Sequence, residues 1–327
     1  MSEAFVRQKC PICRSMLDEE DLFCSTCGTE SAASAIIDKP HTQQASLHSF
    51  RCESCGASMS YDASAKALRC PFCGSEKMTQ RTDSRTLRPN LVVPFSIDRS
   101  QVEINLREWL RRGFWKPGDA AQLAAIREVT QVFVPFWVFS ANTFTYWSGD
   151  SSPAPFGARG DWHPLSGDHR GQYSGLLVPA SSILATGEVE SISPFDLSRG
   201  VSPDKVDLEN VVVEEFRLPK KFARPLAQSK LEAMETAASM SYFPGRSRNV
   251  RVNVRVEGMT SDPFLLPIWI MVYRYKDQPY RVLINGQTGK VAGSSPFAYN
   301  KLFVILLIVA IVISLMVLIA FIAASSQ

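Results

Sequence analysis

Three patterns of apolar and polar positions run along this 327-residue chain, and each predicts a different kind of element. Residues 302–324 are apolar without a charge or proline, Ser314 being the one polar position. As a helix that run is long enough to cross a ~30 Å hydrocarbon core, so it predicts a transmembrane helix. RNVRVNVRVEG (248–258) alternates, with Val250, Val252, Val254 and Val256 on one face and Arg251, Asn253 and Arg255 on the other, which predicts a half-buried strand. Helical spacing follows Ser100-x-x-Glu103, which reads as a capping box opening a helix through Arg112. Val102, Leu106, Trp109 and Leu110 form its buried stripe, and Gly113 stops it. Two more helices are expected, over Ala120 to Val129 and from about Pro225 to Met240. The latter turns Ala227, Leu231, Met234 and Ala238 inward behind a basic run of Lys220, Lys221 and Arg224.

Short apolar stretches supply the remaining strands. LVVPF opens the body near Leu91, VFVPFWVF (132–139) and FTYWSG (144–149) follow, and GLLVPASSIL (175–184) reads as a strand running into a helix. FLLPIWIMVYRY (264–275) leads into a turn over Lys276 to Gln278, another strand, a turn at Asn285-Gly286 and a last short strand. Val134-Pro135-Phe136-Trp137 echoes Leu266-Pro267-Ile268-Trp269, which suggests a duplicated β-rich unit with each proline at the first position of a strand. Residues 148–175 are dense in Gly, Ser, Pro and Asp and read as a loop. The body expected over residues 90–296 is therefore α+β with antiparallel strands.

The cysteines change this picture most. Cys10, Cys13, Cys24 and Cys27 follow C-x2-C-x10-C-x2-C, and Cys52, Cys55, Cys70 and Cys73 follow C-x2-C-x14-C-x2-C, which accounts for all eight. A C-x2-C knuckle presents two thiolates to one cation from a tight turn, and Gly28, Gly56 and Gly74 suit the left-handed backbone such a turn requires. Two small zinc ribbons are expected, over residues 1–30 and 50–80, joined by a polar linker over 31–49 that holds His41 and His48. Each is too small for a sufficient core of its own, so two bound Zn²⁺ would supply folding energy. Four protein ligands close a tetrahedral shell, which makes these structural sites rather than catalytic ones. A disulfide framework would need an oxidising compartment, and MSEAFVRQKC carries no apolar export segment.

Charge adds little until the metal is counted. The formal net charge is +3; eight thiolates add eight negative charges and two Zn²⁺ four positive ones, for a sum of −1. Nucleic-acid binding thus draws no support from overall basicity. The first ribbon carries Asp18, Glu19, Glu20 and Asp21, which repel phosphate, while the second offers Arg51, Lys66, Arg69 and Lys77 with Tyr61 and Phe72 as stacking faces. Lys301 just before the apolar run agrees with a cytosolic body, and Phe297 and Tyr299 fall at interfacial positions, so a single-pass tail anchor is expected.

No enzyme motif emerges. GQTGK (286–290) has two residues between its glycines where a phosphate loop has four, and Val291 stands where Ser or Thr would hold magnesium. Asp161, His163, Asp168 and His169 in DWHPLSGDHR are a weak candidate cluster on a stretch with no fixed geometry. No small-molecule substrate is implied.

CPIC…CSTCG, CESCG…CPFCG, VPFWVF, LLVPAS, PFDL, LPIWIMVYRY and RVLINGQTGKV, in that order, resemble a bacterial family of double-zinc-ribbon proteins with a C-terminal transmembrane anchor. Members are often labelled primosomal-helicase-like, and some relatives resemble membrane anchors for SPFH (stomatin-like) partners. The resemblance implies a non-enzymatic, membrane-tethered adaptor that presents protein-binding surfaces to the cytosol. The alternative is a zinc-ribbon protein that binds nucleic acid at the membrane.

Overall fold

The computed structural model describes residues 9–14, 43–45, 49–60, 69–81, 85–152, 155–157, 159–181, 183–208 and 211–325. In chain order the elements are β1 (Gln43–Ala45), β2 (Ser49–Cys52), β3 (Ser58–Ser60), β4 (Met78–Arg81), β5 (Arg85–Leu87), β6 (Leu91–Val92), α1 (Arg99–Arg111), α2 (Ala120–Leu123), β7 (Ala125–Ser152), β8 (His163–Pro179), α3 (Thr186–Ile192), β9 (Val212–Glu214), α4 (Lys220–Met240), β10 (Arg246–Tyr275), β11 (Gln278–Asn285), β12 (Val291–Gly293) and α5 (Tyr299–Ser325). Ten strands form one mixed sheet, running β12-β11-β10-β7-β9-β3-β2-β4 with β6 beside β10 and β8 beside β7, while β1 and β5 pair separately.

Two strands of 28 and 30 residues, β7 and β10, organise the sheet as an antiparallel pair. Their echoed motifs meet at its centre: Val134 lies opposite Leu266, flanked by Phe133 opposite Pro267 and Pro135 opposite Leu265. This register relates the two motifs by a local two-fold axis. On the N-terminal side of each proline a short parallel strand is added, β9 on Val132 and Phe133 and β6 on Phe264 and Leu265. On the C-terminal side an antiparallel strand takes over, β8 from Phe136 and β11 from Ile268. Ala180 N–H donates to Pro135 O and Gly286 N–H to Pro267 O, both at 2.9 Å. The return contacts match as well: Arg217 and Leu218 donate to Ala180 O at 2.8 and 3.2 Å, and Ser96 and Ile97 to Gly286 O at 2.8 and 3.2 Å.

Both prolines therefore lie inside long strands rather than at strand starts as expected. Each sits where one neighbouring strand replaces another, so its missing N–H interrupts no continuous ladder. The symmetry extends to side chains. Phe95 packs edge-on against Trp269 with centroids 5.5 Å apart, and Phe216 against Trp137 at 5.6 Å.

The helices cross over between the halves. α1 buries Val102, Leu106 and Leu110 against Trp269, Met271 and Tyr273 of β10, while α4 buries Ala223, Ala227 and Leu231 against Trp137 and Phe139 of β7. The opposite face, with Val132, Val134, Phe136, Leu266, Ile268 and Ile270, is covered by the second cysteine module and by Val189 and Ile192 of α3. Covered on both faces, the centres of β7 and β10 read as continuous apolar runs, whereas their outer halves alternate.

Several sequence expectations are corrected here. Asp98, not Ser100, caps α1, its carboxylate accepting from Gln101 N–H at 2.9 Å. The second helix ends at Leu123, because Ala125 already pairs with Arg274 and the β-ladder prevails over local helical spacing. α4 begins at Lys220 and takes in both the basic run and Pro225, and its buried stripe is Ala223, Ala227, Leu231, Glu235 and Ser239 rather than one through Met234 and Ala238. Most of the supposed loop over 148–175 is strand, since β8 pairs with β7 from Ser151↔His163 to Phe136↔Pro179. Its glycines mark close approach: a Cβ at Gly167 would lie 2.6 Å from the Trp147 ring. The turn after β10 forms as expected, with Lys276 and Asp277 both at positive φ (50° and 63°).

Candidate metal centre

Cys52 ends β2, and its C-x2-C turn closes when Gly56 N–H donates to Cys52 O at 2.9 Å; Gly74 N–H donates to Cys70 O at 2.7 Å in the second knuckle. Gly56 and Gly74 take φ of +79° and +73°, which fits glycine to these turns. The knuckles bring four sulfurs together, with all Sγ atoms of Cys52, Cys55, Cys70 and Cys73 within 4.8 Å of one another. Cys52 and Cys73 are 3.6 Å apart and Cys55 and Cys70 3.5 Å. A tetrahedron with ~2.3 Å metal–sulfur bonds has edges of ~3.8 Å, so these cysteines could hold one metal ion with little movement.

The electrostatics fit the same reading. Burial pushes the Cys70 thiol far up, despite donors at Cys73 and Phe72, and pushes Cys55 up to about 11. Burial also opposes ionisation of Cys52, but backbone N–H groups of Cys55 and Ser54 donate to it and bring it down to about 7. Were all four ionised at this spacing, a cation among them would be needed to offset their burial and mutual repulsion.

The centre belongs to the body's core. Cys52 and Cys70 are fully buried and pack with Ala57, Met59 and Phe72 against Val134, Phe136 and Ile268. β3 joins the body's sheet by pairing with β9, Met59 opposite Glu214 and Ser60 opposite Val213. Polar contacts tie this seam, Ser49 to Glu215 and Arg217 to Ser58, while within the body Ser181 donates to Glu214 of β9 at 2.7 Å. Their separation in sequence hid this arrangement from sequence analysis.

Of the first module, Cys10 and Cys13 form a knuckle of the same kind. Arg14 N–H donates to Cys10 O at 2.9 Å, and Arg14 takes the left-handed position, at φ +58°, that glycine holds in the other two. Cys24 and Cys27 lie outside the described residues.

Other sequence candidates fall elsewhere. His169 meets Glu235 of α4, with His169 Nε2 and Glu235 Oε2 2.5 Å apart, while Asp168 projects to the opposite face and His163 lies opposite Ser151 six residues along β8. Glu235 is completely buried and accepts from Thr143 and, at 2.9 Å, from Thr145. Burial raises its carboxyl pKa, but donors at Thr143, Tyr173, Thr145 and His169 prevail and hold it below the usual value. Burial, reinforced by this carboxylate, pushes Tyr173 up to about 12. The legible signal for Glu235 was its place four residues beyond Leu231 on a small-residue stripe. GQTGK forms the β11–β12 turn, where Asn285 Oδ1 accepts from Gln287 and Thr288 N–H and Lys290 Nζ donates to Ser193 O at 2.6 Å. On the outer face of β10, Arg255 pairs with Glu257 at 2.7 Å and lies over Phe144.

α5 is long and apolar enough to cross a membrane, and residues 299–317 leave the body with none of that stretch buried.

The described residues combine a four-cysteine cluster set into a mixed sheet with one long apolar helix at the C-terminal side. No family model matches the chain, and no solved structure matches it. It is similar to the uncharacterized protein YdjG of Bacillus subtilis (strain 168), 25% identical in a match that covers 77% of this chain and 91% of that protein.

Proposed function

We propose that the protein is a non-enzymatic adaptor tethered to the membrane by α5, with two structural zinc sites and a body that presents protein-binding surfaces on the cytosolic side. The observation that carries this reading is the closed sulfur cluster. Four cysteine sulfurs within 4.8 Å of one another would fill a tetrahedral shell around one ion and leave it no position for substrate or water, and two of the four, Cys52 and Cys70, pack in the core. Zinc suits an all-sulfur tetrahedral set, and the Cys10–Cys13 knuckle supports a second site completed by Cys24 and Cys27. Lys301, in the first turn of α5 and just ahead of its apolar run, favours a cytosolic body. The partner class is SPFH-like, on the strength of the resemblance described above.

Nucleic-acid binding by the second ribbon has less support, because Arg69 is paired with Glu76 at 2.5 Å. The test is purification of the tagged chain from detergent extracts, with and without residues 302–327, followed by identification of bound proteins and zinc analysis. The reading expects about two zinc per chain, membrane fractionation only with α5 present, and an SPFH-type protein that co-purifies reciprocally. Full-length protein that yields no partner, or that binds DNA or RNA at ~50 mM salt and loses it steeply as salt rises, would overturn the adaptor reading.

A further inference from the structure

The last residue of α1 and the start of its connection to α2 read Arg111-Arg112-Gly113-Phe114-Trp115-Lys116, and the two aromatic side chains of the connection are turned outward, Phe114 63% and Trp115 44% exposed. Two adjacent large apolar rings on a tight loop call for a partner surface. The loop is also fixed to the root of α5. Ala298 N–H donates to Trp115 O at 2.8 Å, and Lys301 Nζ donates to Phe114 O and Lys116 O, both at 2.9 Å. Trp115 stacks on Phe297 with centroids 5.4 Å apart and planes 11° apart, Phe114 meets Trp115 edge-on at 5.2 Å, and Tyr299 meets Phe297 edge-on at 5.1 Å. Four exposed rings from two distant segments thus form one collar where the apolar helix begins. Behind the collar, Lys116 is held over the Trp109 ring and donates to Trp109 O at 2.7 Å, which keeps the loop from folding away.

We infer that this collar is a second membrane contact: Phe114 and Trp115 sit in the headgroup layer beside α5, with Arg111 and Arg112 facing anionic lipid. The inference rests on the reading of α5 as a bilayer helix. Lipid is the occupant because the collar is continuous with the helix that would enter the bilayer, and rings of this kind concentrate at membrane–water interfaces. Arg111 and Arg112 are exposed, and although Arg112 lies 3.2 Å from Glu108 on α1, the loop still offers net positive charge that complements the negative surface potential of an anionic leaflet. The consequence is a fixed body. A helix leaving through an unattached linker would let the sheet tumble, whereas this collar sets one face toward the membrane.

The test uses full-length protein reconstituted into vesicles of phosphatidylcholine and phosphatidylglycerol with brominated acyl chains, which quench tryptophan near the interface. Flotation after a high-salt, alkaline wash reports α5 separately. The expected result is flotation of both wild type and Trp115→Phe, with most of the quenchable emission lost in the variant. Replacing Arg111 and Arg112 by Gln should reduce quenching of Trp115 in anionic vesicles and leave it unchanged in phosphatidylcholine alone. Flotation with equal quenching in wild type and Trp115→Phe overturns the collar while leaving the anchor intact; failure to float overturns both. A Trp115 shielded from aqueous iodide but untouched by bromine is covered by protein, a partner or a second copy, and the lipid assignment falls.

Discussion

Met59, on the strand that follows the first knuckle of the metal centre, lies directly opposite Glu214 of β9, so the backbone ladder of the body runs into the cysteine cluster. β9 in turn pairs with β7 through Val212 and Val213, which leaves two strand boundaries between the centre and the two-fold axis at Val134 and Leu266.

Loss of the metal should therefore weaken the whole body rather than only the hairpins. Structural zinc contributes ~10 kcal/mol or more of apparent binding energy in small modules, and a few kcal/mol of that passing to the body would be a large share of an ordinary folding stability. Cys70→Ser, or a strong chelator, should lower the melting temperature seen in the near-ultraviolet signal of Trp137 and Trp269. A variant that loses its zinc yet melts as before would separate the module from the body.

Metal binding should also weaken as the pH falls. Cys55, pushed up to about 11, and Cys70, pushed higher, must give up protons to the solvent when the ion enters at neutral pH, while Cys52 at about 7 is partly ionised. At least two protons are displaced near pH 8 and a further one below pH 7, each steepening the fall by about tenfold per pH unit. Competition titrations with a chromophoric zinc chelator at pH 6, 7 and 8 measure this slope. A pH-independent affinity would refute the assignment of these thiols as ligands.

Glu235 should be a stability determinant of α4. Its removal leaves Thr143, Thr145 and His169 with unmet hydrogen bonds in a buried site, so Glu235→Ala is expected to cost ~3 kcal/mol in urea unfolding. A carboxyl held below its usual value stabilises the fold fully above about pH 4.5 and progressively less as acid protonates it. The wild type should thus lose stability more steeply than Glu235→Ala as the pH falls below about 4.5. Identical acid transitions in the two proteins would mean that the carboxylate contributes nothing.

The local two-fold axis predicts paired responses. Trp137→Ala and Trp269→Ala remove equivalent buried rings and should each cost ~3–5 kcal/mol. The symmetry is broken at one hydrogen bond, because Trp137 Nε1 donates to Leu218 O at 2.8 Å while Trp269 Nε1 is buried without a partner. Trp137→Phe should consequently cost ~1 kcal/mol more than Trp269→Phe, and equal losses would assign no value to that bond.

Elements whose signal is complete within a short stretch were legible in the residues alone. The unbroken apolar run of α5, the cysteine spacing of the centre, the Lys276-Asp277 turn and the alternation over Val250 to Val256 each state what a segment can bury or how tightly it can bend. The echo of VPFW and LPIW also pointed to duplication, but its meaning changed: the prolines sit at the centre of two long strands because the partner strands change there. A short α2, the start of α4 at Lys220 and the strand in place of the loop over 148–175 were misread because local spacing and composition carry no information about β-ladders formed with distant residues. Glu235 and His169, 66 residues apart, and Ser49 and Glu215, 166 apart, are joined by contacts that no local pattern specifies. Thus composition and spacing settled which segments are apolar, which turns are tight and which thiols can share an ion. The choice of surface each segment covers, including the seating of the cysteine centre in the body's core, was made by packing, where burial on both faces of β7 and β10 outweighs any local preference.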